Sequence, residues 1–277
     1  MQIFIVILII LIILIVIYCI SNKVHIKFKT FLKAGFRPAR GIFGVYCYTG
    51  KQGKGKTYSI VEYLLDNKDK SVVFCNVADI KGLDYFYFVG FNELIKLKMI
   101  LDFNYVDKAD LFNFCKSLNF EKSRCISIVN LIEDFKINKK QLVFVYDEIF
   151  TELQKNSKLS KDVIDFLCQM RKRQIIFLTT AQEWAEIPLT FRRFCRYQID
   201  CVMIPIFTSG ILIKRFNDAE NMKWSDEEQE HVAPLLETTI THTRKEIANS
   251  YNTYLRVSSV ALPNATLTDT DVNNGRA

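Results

Sequence analysis

The sequence predicts an α/β protein: a doubly wound, mainly parallel sheet with one glycine-rich loop, preceded by an N-terminal transmembrane helix. Three observations carry this. Residues 3–20 are an unbroken apolar run, ending before a cluster of lysines. Two later apolar runs stop at segments suited to ligands, Thr49-Gly50 and Asp147-Glu148. Around them, short apolar runs alternate with stretches of helical spacing, the order expected when helices cross over between parallel strands. Composition allows a domain of this kind. The chain has 277 residues, 49% hydrophobic and 24% charged, which is enough for a buried core and too apolar for a disordered chain. With 10 Gly and 5 Pro it is neither collagen-like nor a linker. The 8 cysteines form no CxxC pair and the 3 histidines stand apart from them. They read as small buried hydrophobes in a reducing compartment, not as zinc ligands or a disulfide framework.

As a helix, the first run is about 27 Å long, against a hydrocarbon thickness of roughly 30 Å. A cleaved signal peptide would need a basic n-region and a small-residue cleavage site, and neither is present. The run has no polar face, so a buried soluble helix is excluded as well. Lys23, Lys27, Lys29, Lys33, Arg37 and Arg40 follow it without one acidic residue. By the positive-inside rule the body faces the cytoplasm, with this stretch on anionic head groups at about 1 kcal/mol per charge. Much of the net charge, 37 − 30 = +7, lies there, so the total is no argument for nucleic acid. The expected organisation is an anchor over 1–21, a basic juxtamembrane segment over 22–40, the α/β domain over 41–257 and a polar, mobile tail over 258–277. Residues 201–213 are too short and too interrupted, by Pro205, Thr208, Ser209 and Gly210, to span a bilayer.

The β-rich run 42–48 leads into Gly50-Lys51-Gln52-Gly53-Lys54-Gly55-Lys56-Thr57, which fits G-x-x-x-x-G-K-[ST] at every fixed position. The glycines let the backbone turn consecutive N–H groups onto an anion. The helix expected over 57–65 adds its positive end, with Ile60, Val61, Leu64 and Leu65 on one face. Lys56 would reach the β- and γ-phosphates, and the Thr57 hydroxyl would ligate magnesium. The expected ATP-binding set is Gly50, Lys51, Gln52, Gly53, Lys54, Gly55, Lys56, Thr57 and Tyr58.

Such a site needs a carboxylate at the end of a neighbouring buried strand, and Leu142-Val143-Phe144-Val145-Tyr146-Asp147-Glu148 supplies it. The continuous apolar run reads as a strand buried on both faces. Asp147 stands where parallel sheets place ligands and is the second expected Mg2+ ligand. Glu148 is the natural base to polarise water. After a third strand over 174–180, Gln182 reads either as a γ-phosphate sensor or as a turn residue. Arg192, Arg193 and Arg196 crowd a later segment; one of them supplies a cation to a neighbouring subunit's nucleotide, or all three make surface salt bridges. A strand over 71–76 and two more near 197–204 and 210–216 complete the sheet. An extra strand between the two catalytic elements favours the RecA-like branch of P-loop NTPases. No N-K-x-D motif points to a GTPase, and no LSGGQ-like stretch to an ABC ATPase. Residues 85–134 read least clearly, as a helical insertion suited to assembly.

Together, GKQGKGKT, VVFCNV, LVFVYDE and IIFLTTAQEW…FRRFCRYQID resemble the zonula occludens toxin-like, or filamentous-phage assembly, ATPases, within the FtsK/HerA-type P-loop motors. The resemblance covers roughly 41–216. It implies ATP-driven assembly and extrusion of a single-stranded-DNA phage through the cytoplasmic membrane, by a homo-oligomeric ring with a hexamer among its sizes. Phage DNA or virion proteins would be its partners. By position it assigns ATP and Mg2+ to Lys56 and Thr57, the metal to Asp147 and the activated water to Glu148. Family members carry the ATPase first and the span later, whereas here the span comes first. The resemblance therefore brings no expectation of an outer-membrane contact or toxin activity, and suits a host with one membrane. Two other classes stay open: a packaging or conjugation translocase with the same chemistry, and a nucleotide-dependent membrane scaffold that does not hydrolyse. The acid pair argues against the last.

Overall fold

The computed structural model describes residues 2–21, 24–26, 43–153, 158–170, 172–206, 209–227 and 230–252. The expected polar tail, and the juxtamembrane segment apart from 24–26, lie outside them. Helix α1, Gln2–Ser21, has 20 residues. Its side chains are described at 7–14 and 16–17, half of its length, where all are Ile, Leu or Val and 47–59% exposed. Among the described residues no helix is long and apolar enough to cross a membrane.

Strand β1, Val24–Ile26, comes next, then β2, Gly44–Thr49, and α2, Lys56–Asp66. Strand β3 is Ser71–Cys75 and β4 is Phe86–Tyr87. The stretch expected to be helical holds α3, Gly90–Asp102, α4, Lys108–Ser117, and α5, Lys122–Asn138. The acidic strand β5 is Gln141–Tyr146, followed by α6, Lys161–Gln169, and β6, Ile175–Ala181. A short α7, Leu189–Arg192, leads into β7, Cys195–Ile206, and β8, Ser209–Asp218. Three strands follow that the sequence did not suggest: β9, Lys223–Ser225, β10, Glu230–Val232, and β11, Leu235–His242. Helix α8, Lys245–Ala248, is the last element among the described residues.

Nine strands form one sheet in the order β1-β11-β8-β7-β2-β6-β5-β3-β4, and β9 and β10 make a separate ribbon. Only β8 runs against its neighbours; every other pairing in the sheet is parallel. The expected mixed α/β, mainly parallel architecture is therefore present, and β6 lies between the glycine-loop strand β2 and the acidic strand β5. One boundary moves. Val24–Ile26 lies within the expected juxtamembrane segment, yet its backbone pairs with Thr238–Ile240 at the sheet edge.

Both faces are covered, which explains the unbroken apolar runs of β3, β5 and β6. Alternate residues go to opposite cores. Phe74, Phe144 and Phe177 pack with α3–α6, while Tyr48, Val145 and Leu178 pack against Ile60, Val61 and Leu64 of α2. Six of the seven described cysteines are buried, and Cys168 is exposed. Arg173, just after α6, pairs with Asp102 of α3.

Among the described residues, one ionic contact lies inside. Lys214 of β8 and Glu62 of α2, 1% and 0% exposed, pair at 3.0 Å. Arg244 adds contacts of 2.9 Å to Asp66 and 3.5 Å to Glu62. Burial pushes the Glu62 carboxyl upward, and Lys214 opposes the shift. Lys214→Ala leaves Glu62 with only the longer Arg244 contact. It is expected to lower stability by about 3–5 kcal/mol in denaturant unfolding.

Candidate functional site

Strand β2 ends at Thr49 and α2 begins at Lys56, so the glycine loop joins a buried strand to a helix N-terminus. Its first glycine has no substitute. Gly50 adopts φ +138°, and a Cβ there would lie 2.7 Å from the Cys201 carbonyl oxygen, a backbone atom with no freedom to retreat. Gly50→Ala is expected to cost about 2–3 kcal/mol in unfolding experiments and to displace the loop. Gly55, at φ +87°, precedes the helix and leaves its first N–H groups open. Lys56 is 9% exposed. Its ammonium donates to the carbonyl oxygens of Gly50 at 2.6 Å and Lys51 at 3.2 Å, curling back over the loop. Lys51, Gln52 and Gly53 are exposed and Lys54 is half-buried.

The acid meets the loop directly. Thr57 Oγ1 donates to Asp147 Oδ2 at 2.9 Å across 90 residues of sequence. Thr180 Oγ1 donates to the other oxygen at 2.6 Å and accepts the Glu148 N–H at 2.7 Å. Asn76, at the end of β3, clamps the Asp147 peptide from both sides: its Oδ1 accepts the N–H at 2.6 Å, and its amide donates to the carbonyl at 3.1 Å. Burial raises the Asp147 carboxyl above the ordinary range, while Thr180, Thr57 and the Lys56 charge pull it down. Glu148 takes a left-handed conformation, φ 57° and ψ 49°, which carries its side chain out of the strand line into an exposed position. Partial desolvation, then the Asp147 charge, push its carboxyl upward against Lys56.

Gln182 follows β6 beside the loop. Its carbonyl accepts the Gly50 N–H at 3.1 Å, and its side chain is exposed. Two expected residues stand elsewhere. Tyr58 is 4% exposed, and its hydroxyl accepts the Arg244 N–H at 2.7 Å, so its side chain belongs to the core and only its backbone faces the loop. Burial raises that phenol to about 12. Arg192 is 6% exposed, its guanidinium 5.8 Å from the Trp184 ring centroid. It precedes the start of β7, where Cys195 pairs with Val45, so it lies at the end of the strands opposite the loop. A side chain buried there cannot reach a neighbouring subunit. Arg193, at the same end, is exposed.

Sequence reasoning missed the polar support. Asn76 and Thr180 end two apolar strands, a position that could have marked them. Asp200 interrupts the apolar strand β7. It accepts from Thr49 Oγ1, from the Gln198 amide at 3.0 Å and from the Asn217 amide at 2.8 Å, holding β7 and β8 against the start of the loop.

All-oxygen donors suit a hard cation such as Mg2+. Thr57 and Asp147 form such a pair, beside a loop whose turn at Gly50 has no room for a Cβ. A nucleoside triphosphate with its magnesium fits these residues.

No protein-family model and no curated protein matches the sequence. Among solved structures, the chain is similar to the N-terminal domain of zonular occludens toxin from Neisseria meningitidis, at 14% identity over 76% of this chain and 98% of that one, TM-score 0.41. It is similar to the genome-packaging NTPase B204 of Sulfolobus turreted icosahedral virus 2, solved with ATP-γS, at 12% identity over 70% and 98%, TM-score 0.36. A third is the flagellar accessory protein FlaH from Methanocaldococcus jannaschii, at 15% identity over 62% and 77%, TM-score 0.31. The toxin family suggested by the sequence motifs thus recurs among the structural neighbours. Likeness this distant carries no functional conclusion.

Proposed function

We propose that the chain is a membrane-anchored ATPase that drives assembly and extrusion of a single-stranded-DNA filamentous phage through the cytoplasmic membrane. The observation behind the enzymatic part is the 2.9 Å contact between Thr57 and Asp147, with Lys56 and Glu148 each adjacent in sequence to one partner. When ATP enters, the Lys56 ammonium exchanges the Gly50 and Lys51 carbonyls for phosphate oxygens. Thr57 and Asp147 would hold Mg2+, which would supply neutralisation of the phosphate charge. Glu148 orients the attacking water and takes up its proton. Gln182, beside the loop with its side chain exposed, serves in this reading as the sensor of the terminal phosphate. Arg193 is the exposed cation for a neighbouring subunit in a ring.

The membrane part rests on the sequence, in which residues 3–20 are an unbroken apolar run, about 27 Å long as a helix. The lysine-rich flank favours a single pass with the α/β domain in the cytoplasm. The phage part rests on the sequence motifs. Two measurements test the reading. Removing residues 2–20 is expected to release the protein from membranes; persistent association would mean another anchor. ATPase activity with and without single-stranded DNA, read beside particle mass, tests the motor. DNA-stimulated hydrolysis by an oligomer supports it, and a DNA-insensitive monomer sinks it.

A further inference from the structure

This inference rests on the nucleotide reading above and adds where the base goes. The site gives a triphosphate a direction. Thr57 meets Asp147 and Glu148 follows Asp147, so the terminal phosphate belongs on the β5–β6 side of the loop. The nucleoside then leaves on the other side, over β7 and β8. There the sheet does not stop. Strand β2 ends at Thr49, paired with Asp200, but β7 runs on to Ile206, still paired with β8. The projecting end alternates faces. Cys201 and Met203 turn toward the α2 side, and Met203 faces Leu212 across the hairpin. Met203 and Leu212 both press on the loop: a Cβ added to Gly55 would lie 2.9 Å from Met203 Cε and 2.9 Å from Leu212 Cδ1. Leu212 is fully buried, while Met203 is half-buried. Gly210 keeps the surface low beside them, since a Cβ there would lie 2.9 Å from Met203 Sδ. Thr243 pins this end of the hairpin: Gly210 N–H donates to its Oγ1 at 2.7 Å, and its own N–H donates to the Gly210 carbonyl at 2.8 Å.

We propose that Met203, backed by Leu212 and levelled by Gly210, is the shelf on which the base of the bound nucleoside triphosphate lies. A thioether is unbranched and polarisable, adapts to a flat ring and makes favourable sulfur–aromatic contacts. The position is fixed by the loop itself, because the same methionine touches the glycine that opens the helix N-terminus to phosphate.

The test uses the full-length, detergent-solubilised chain with 8-azido-ATP as the probe. Photolabel that ATP competes away is expected on the peptide spanning 201–212. ATP-protected label on any other segment overturns the shelf while leaving the nucleotide site standing. No ATP-protected label anywhere, in the wild type as in Lys56→Ala, overturns both. Met203→Ala gives a second readout. It is expected to raise the half-saturating ATP concentration by about three- to tenfold, without changing inhibition by inorganic tripolyphosphate, which has no base. Equal weakening toward both ligands, or toward neither, refutes the assignment.

Discussion

Replacing Lys56 with alanine is expected to lower ATP turnover by on the order of a thousandfold, with the fold intact. Among the loop's three lysines, only Lys56 is buried, and its ammonium is held 2.6 Å from the Gly50 carbonyl. Charge gathers on the γ-phosphate oxygens during transfer, and in an enclosed site a fixed cation stabilises that charge far more than water can. The variant removes this charge without breaking a polar contact between elements, because the Lys56 ammonium bonds to carbonyls of its own loop. Steady-state hydrolysis and a thermal melt on the same sample check both halves. Turnover at the wild-type rate would remove the loop from the reaction.

Glu148→Gln is expected to bind ATP normally and to hydrolyse it at least about a hundredfold more slowly, the scale of a lost general base. The pH profile separates a base from a merely nearby acid. Partial desolvation and the Asp147 charge hold the Glu148 carboxyl above its ordinary value, which is about 4.3. A base must be ionised, so wild-type turnover should fall on acidification from above that ordinary range, and the glutamine variant should lack this limb. Stability moves the other way. Asp147 and Glu148 are both raised, so the folded state binds their protons more readily than the unfolded chain does. Their contribution to stability is present in acid and is lost as pH rises through the folded values. Activity and stability are opposed at this pair.

Much of this site could be read from the chain because its parts are local. The loop's glycines and lysine stand at fixed spacings, and Asp147-Glu148 directly follows its strand, so pattern and position coincide. The interposed strand β6 was also legible, from its apolar run between α6 and Gln182. The supports were not, because they act across long separations. Asn76 grips Asp147 from 71 residues away, and Thr49 donates to Asp200 across 151. Arg192 misled because an arginine-rich surface segment and an arginine buried against tryptophan look alike until packing is known. Lys214 stayed hidden because nothing local marks a lysine whose partner sits in a distant helix. Strands β9–β11 are polar enough on one side to pass for loop, and β11 became legible only through its register with β8.

Strand β1 has a mechanical consequence. Two residues of sequence separate it from α1, a contour of at most about 11 Å, and its backbone is paired into the same sheet as the glycine-loop strand, four strand spacings or about 19 Å away. With α1 in a bilayer, such a domain is moored by its rim and not trailed on a leash. Under the proposed function, any swing that accompanies hydrolysis would pivot about that rim, and the longest lever arm would fall to the opposite border of the sheet, at β4.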